Sequence, residues 1–236
     1  MAHHNCGFNR RSALKLGCCG VVGMATGATL WPMGSVAAAS LASSDSLSPH
    51  EALERLLTGN QRFTRHQLRH PDQTEARVLE LTQAQHPFAT VLSCADSRVT
   101  AEIIFDQGLG DIFDVRVAGN IATPEVVGSI EYAVALLQTP LLMVLGHERC
   151  GAVTAAVDNG PLPGEMGTFV EAILPAVNQV KGLAGDAVDN AVTANVRYQV
   201  NQLLRSQLIR DRQASGQLDI VGARYDLDTG AVTLIT

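Results

Sequence analysis

Two apolar runs, each preceded by a proline and each halted by side chains that bind metals, constrain this sequence more than any other feature. Phe88-Ala89-Thr90-Val91-Leu92 follows Pro87 and runs into Ser93-Cys94-Ala95-Asp96-Ser97-Arg98. Leu141-Leu142-Met143-Val144-Leu145 follows Pro140 and runs into Gly146-His147-Glu148-Arg149-Cys150-Gly151. Short runs of branched and aromatic residues bounded by turn signals read as buried strands. Open α/β sheets hold their chemistry at the carboxyl ends of such strands. The pattern therefore predicts one α/β domain whose site is assembled from two strand ends.

Cys94 and Cys150 are the only cysteines beyond residue 19, and His147 precedes the second by three positions. Two thiolates and an imidazole suit zinc, and three protein ligands leave a fourth tetrahedral position open, as in catalytic sites. A disulfide would also use both cysteines, but it gives no role to His147, Asp96 or Arg98. Asp96, two residues after Cys94, could fill the fourth position and close the site. Arg98 carries a planar fork that grips a carboxylate with two hydrogen bonds, so it competes with a metal for Asp96. The pair reads as a gate.

Cys94-x-Asp96-x-Arg98 followed some fifty residues later by His147-x-x-Cys150 resembles the beta-class carbonic anhydrases. The likeness runs from the helix around residues 51–63 to the segment at 220–227. It implies one zinc per chain on Cys94, His147 and Cys150, with Asp96 as a further ligand at rest in one subset of the family. It implies reversible hydration of carbon dioxide to bicarbonate by zinc-bound hydroxide, gated by Asp96 and Arg98, and a homodimer or larger homo-oligomer. Gln107 is the nearest match to a substrate-contacting glutamine, though one residue closer to the first motif than in the plant-type pattern, and the Gly151 amide could face substrate. Some members carry a regulatory bicarbonate pocket. Arg116 matches its arginine, but Val91 stands where its tryptophan belongs, so the resemblance does not extend to that pocket. Nothing in the motifs separates carbon dioxide from carbonyl sulfide or carbon disulfide, all small, linear and uncharged.

Residues 1–39 read differently from the rest. Asn9-Arg10-Arg11-Ser12 has the paired arginines of a twin-arginine leader, residues 16–30 are apolar and glycine-rich, and Ala37-Ala38-Ala39 offers a cleavage site. The apolar segment is short of the ~20 residues a spanning helix needs, so cleavage, no lasting membrane anchor and a periplasmic or otherwise exported destination are expected. Residues 40–236 are expected to form the single catalytic domain. The chain carries 17 basic and 23 acidic residues, and the leader holds three of the basic ones and no acid. The acidic remainder is unsuited to nucleic acid or anionic membranes, whereas a neutral gas is not repelled.

Along the mature part, Ser48-Pro49-His50-Glu51 has the pattern of a capping box with proline in the first turn. Helices are expected at 74–83, from 101, from 124 behind a Thr123 cap, at 152–157, at 166–180 and as one long element over 187–209. A strand is expected at 112–118, and a closing hairpin turns at Asp228-Thr229-Gly230. A mostly parallel sheet with an antiparallel edge strand follows. Gly146 and Gly151 are expected to let the backbone turn at the site, and Glu148 and Arg149 to face solvent or cap the next helix.

Overall fold

The computed structural model describes residues 47–235; the leader expected over residues 1–39 lies outside them. Helices α1 (Pro49–Thr64) and α2 (Glu75–Leu81) precede strand β1 (Ala89–Ser93), and a single turn α3 (Ala101–Ile104) leads to β2 (Ile112–Arg116). Helix α4 (Pro124–Ala135), β3 (Leu141–His147) and α5 (Gly151–Asp158) come next. Helices α6 (Gly167–Val180), α7 (Ala187–Leu203) and α8 (Gln207–Ala214) then lead to the hairpin of β4 (Asp219–Tyr225) and β5 (Val232–Ile235). The five strands lie in the order β2-β1-β3-β4-β5, the first four parallel and β5 antiparallel at the edge.

Successive residues of a strand point to opposite faces, and here both faces are covered. Val91, Met143 and Leu145 pack with Leu56 of α1 and Phe105 on one side. Leu92, Leu142 and Val144 pack with Ile130 of α4 and Val196 and Leu203 of α7 on the other. Burial on both faces explains why the runs are continuously apolar rather than alternating. Fully burying a branched or long aliphatic side chain contributes about 1.5–3 kcal/mol, so these two layers dominate the stability of the sheet.

The strand order positions the site. β1 and β3 are neighbours with Ser93 opposite Leu145, so residues just past each fall at one edge although some fifty positions separate them in sequence. β3 runs two residues beyond the expected stop, pairing Gly146 with Arg224 and His147 with Tyr225. Gly146 therefore sits in a strand and does not turn the chain. A Cβ there would lie 2.5 Å from Cγ2 of Val196, so the glycine serves the close approach of α7.

Helix α1 starts at the expected capping box, with the Ser48 hydroxyl and Glu51 carboxylate each bonded to the other's backbone N–H. It runs through Gly59-Asn60 because both are used in packing. A Cβ on Gly59 would sit 1.7 Å from the Phe105 carbonyl oxygen. Buried Asn60 donates to the carbonyls of Ile104 (3.2 Å) and Gly230 (2.8 Å) and accepts from Val232 N–H (2.9 Å). That side chain ties the first helix to the closing hairpin.

Two further expectations change. The helix over 187–209 is broken: α7 ends at Leu203, and Ser206 caps α8, its hydroxyl accepting from Ile209 N–H at 3.4 Å and donating to Glu131 at 2.5 Å. The break directs both Leu203 and Ile209 into the layer that holds Ile130. Thr123 occupies the cap position of α4, but its hydroxyl makes no capping hydrogen bond, leaving Pro124 at the first turn as the start signal.

Candidate metal centre

Cys94 follows β1 directly, His147 ends β3, and Cys150 occupies the N-cap position of α5. All three are buried, Cys94 and Cys150 among Ile121, Val153 and Ile173. The two sulfurs are 4.0 Å apart, and one ligand atom from each of the three residues falls within 4.8 Å of the others. Two thiolates on a tetrahedral zinc at Zn–S ≈ 2.3 Å stand about 3.8 Å apart, so the pair has the spacing of ligands; both cysteines are free thiols.

The His147 ring supplies an independent test of fit. Its Nδ1 lies 2.8 Å from the Glu148 carbonyl oxygen, which can only accept, so Nδ1 carries the proton and Nε2 presents a lone pair. Nε2 is buried with no hydrogen-bond partner. A buried polar atom left so costs about 1–3 kcal/mol, and a metal shared with the two sulfurs would satisfy it. A carbonyl behind a metal-binding imidazole is the usual orienting partner.

The thiols divide one proton unequally. The Cys150 hydrogen bond, aided by the Gly119 N–H against the opposing effect of burial, brings Cys94 well below the ordinary thiol range. The bond to Cys94, burial and the Cys94 charge push Cys150 up. Gly119 reaches the sulfur because it adopts φ 74°, where glycine is unstrained, putting its N–H 3.3 Å from Cys94 Sγ. A dication between the sulfurs would displace the remaining proton.

Asp96 stands at the rim. Its Oδ1 accepts from Arg98 N–H and Nε, both 2.9 Å, and its Oδ2 from Arg98 Nη2 at 2.7 Å. This fork holds the carboxyl well below the usual carboxylate range, against the opposing effect of partial burial. Oδ2 is 3.9 Å from His147 Nε2. The group close enough to share one ion is Cys94, His147 and Cys150; Asp96 lies beside it, turned toward Arg98.

The remaining residues separate. Gln107 is buried with both ends of its amide engaged, accepting from Arg55 Nε at 3.0 Å and donating to the Phe105 carbonyl at 2.7 Å. Gly151 opens α5 with no atom within 4 Å of where a Cβ would stand, and its φ is not positive. The turn between His147 and Cys150 is made instead by Arg149, at φ 47°, whose guanidinium grips Asp228 through two hydrogen bonds of 2.9 and 2.7 Å. Glu148 pairs with Arg224 at 2.7 Å rather than with the following helix. Two contributors escape a reading of motifs, Gly119 on the Cys94 sulfur and Arg116 on the backbone of the first motif. A glycine directly after the strand expected over 112–118 is the available signal for the former.

A family description of carbonic anhydrase matches residues 89–232. The chain is 45% identical over 192 residues to a carbonic anhydrase of Mycolicibacterium smegmatis, covering 79% of this chain and 93% of that protein. It is 44% identical, with the same coverage, to carbonic anhydrase 2 of Mycobacterium tuberculosis. Among solved structures, the beta-carbonic anhydrase CcaA superposes with a TM-score of 0.63 at 26% identity, over 78% of this chain and 87% of that one. With the fold, the buried Cys/His/Cys group and these relatives in agreement, the chain belongs to the beta-class carbonic anhydrase family.

Proposed function

We propose that the chain catalyses reversible hydration of carbon dioxide to bicarbonate and a proton, with one zinc on Cys94, His147 and Cys150 and with Asp96 and Arg98 gating access to it. The observation that carries this is the convergence of two sulfurs and an unpartnered imidazole nitrogen in a buried site. Zinc, when bound, supplies a Lewis acid that lets water lose its proton near neutral pH. The chain's own groups do the rest. Asp96 stays ionised, so it accepts a hydrogen bond from a water or hydroxyl and orients it. Arg98 holds both carboxylate oxygens and so limits how far Asp96 can swing toward the ligands. Arg98, with its side chain 53% exposed, gives the anionic product a cationic rim.

Stopped-flow hydration with the zinc-loaded protein tests this, with Cys94→Ser as control. The expected result is one zinc per chain, a rate that rises with pH, and loss of metal and activity to background in the variant. One zinc per chain with hydration no faster than the control would refute the activity. A rate flat from about pH 6 to 9, the range around the pKa near 7 of water on catalytic zinc, would refute the gate alone.

Export through the twin-arginine route is proposed from Arg10-Arg11 and the alanines at 37–39. A route that carries folded protein allows metal to be loaded before the thiols meet an oxidising compartment. Fractionation finding residues 1–39 intact on a cytosolic protein rejects it. Among the described residues no helix is long and apolar enough to cross a membrane. Assembly into at least a dimer is proposed from the family resemblance and from the exposed apolar side chains of Leu79, Ile103 and Leu109. A monomer mass by light scattering at micromolar concentration counts against it.

A further inference from the structure

Arg116 is the last residue of β2, and the register sets it beside Ser93, the last residue of β1. From there its guanidinium reaches over the first motif. Nε donates to the Cys94 carbonyl at 3.2 Å and Nη2 to the Asp96 carbonyl at 2.7 Å. Ala95, between those carbonyls, donates its own N–H to Val117 at 3.3 Å, while Val99 N–H also donates to the Asp96 carbonyl at 3.0 Å. The peptides that carry the first ligand and the acid are therefore gripped by the neighbouring strand.

Asp96 is thus held from two sides by two guanidinium groups, Arg98 on its carboxylate and Arg116 on its carbonyl. We propose that Arg116 is a positioning residue for the reaction. By fixing the Cys94–Ala95 and Asp96–Ser97 peptides, it sets where the Asp96 carboxylate can stand relative to Arg98 and the metal ligands. Its other neighbour of note, Asp114, is 4.0 Å away, at the limit of an ion pair, whereas the bonds to the carbonyls are within hydrogen-bond range. Two carbonyls two residues apart call for a forked donor. A lysine, with one compact ammonium, does not reproduce that fork. The inference rests on the reading of the site as a hydration centre.

The test compares zinc-loaded Arg116→Gln and Arg116→Lys with the unmodified protein. The expected result is a fall in kcat of about 10- to 100-fold, the range for groups that orient metal ligands and their neighbours. KM should change less, zinc should remain at one per chain, and Lys should restore little. Amide exchange at Arg98, whose N–H bonds the Asp96 carboxylate, should quicken. In an Asp96→Asn background, Arg116→Gln should slow the enzyme no further, as for residues acting through one another. Unchanged kcat, unchanged exchange at Arg98, or losses that multiply in the double variant each overturn the proposal. So does loss of zinc from Arg116→Gln, which would make the residue a support of the metal rather than of Asp96. Should Arg116→Gln fail to fold, Arg116→Lys carries the same measurements. If the unmodified protein hydrates nothing, the functional reading fails, and exchange at Arg98 still decides whether Arg116 seats the carboxylate.

Discussion

The two strand ends that meet at the site are held in different ways. On the β3 side, His147 belongs to the strand and Cys150 to the start of a helix, so main-chain hydrogen bonds fix both ligands. On the β1 side, Cys94 and Asp96 lie in a loop whose shape depends on guanidinium groups from Arg98 and Arg116. A metal needs its ligands within tenths of an ångström, which regular structure provides. The gate proposed above needs a group with two available partners, and a loop held by side chains suits that need. On this proposal the chemistry is divided between a preformed half and an adjustable half.

The preformed half makes the largest prediction. Zinc at 1,000 times its dissociation constant stabilises a folded chain by about 4 kcal/mol, and each kcal/mol shifts the melting temperature by roughly 2–4 °C for a domain of 150–250 residues. Adding zinc to metal-free protein should therefore raise Tm by about 8–16 °C, and His147→Ala should abolish most of that gain. Calorimetry showing the same rise in both would mean that His147 Nε2 is not a ligand and that the β3 end is not the rigid half.

The adjustable half makes the next. Asp114 stands 3.5 Å from the Ser93 hydroxyl and 4.0 Å from Arg116. Burial, with Glu102 adding to it, pushes its carboxyl up to about 6 from an ordinary 3.8. The folded state then holds a proton that the unfolded chain releases. The stability tied to that proton is fully present below pH 3.8 and is lost as pH rises through about 6. Asp114→Asn should remove this fall and leave the protein more stable at pH 7 by up to about 3 kcal/mol, since the rise from 3.8 to about 6 is roughly two units at ~1.4 kcal/mol each. Melting curves for variant and parent that run parallel from pH 4 to 7 would show that Asp114 titrates normally and exerts no strain on the loop's support.

What the sequence reveals divides differently, by how local each signal is. Cys94, His147 and Cys150 were legible because their chemistry is rare and their setting, behind apolar runs, is local. The capping box at Ser48 and the hairpin at Gly230 were legible for the same reason, since each signal lies within a few residues. Arg116 was not, because its role depends on which strand lies beside β1 and in what register, and no local pattern encodes that. The break at Leu204 is not legible because the polar stretch Arg205-Ser206-Gln207 fits the solvent face of one long helix as well as a cap. Gln107 is expected to face substrate, and the structure adds partners that no local pattern encodes, Arg55 from a helix some fifty residues earlier and the Phe105 carbonyl.

The smallest effect concerns the turn that joins the two ligands of the preformed half. Arg149 adopts a left-handed backbone, uncommon for any residue but glycine, asparagine and aspartate, and it also bonds Asp228 on the surface. Either the charge pair or the backbone conformation could be what the site needs, and two substitutions separate them. Arg149→Asn removes the pair but accepts the conformation; if conformation is what matters, kcat and zinc content should stay within about twofold of the parent. Arg149→Val removes the pair and also resists the left-handed region, as a β-branched side chain does, so it should lower both by more. Equal losses in the two variants would assign the turn to the Asp228 pair, and the β3 end would then depend on side-chain charge as the β1 end does.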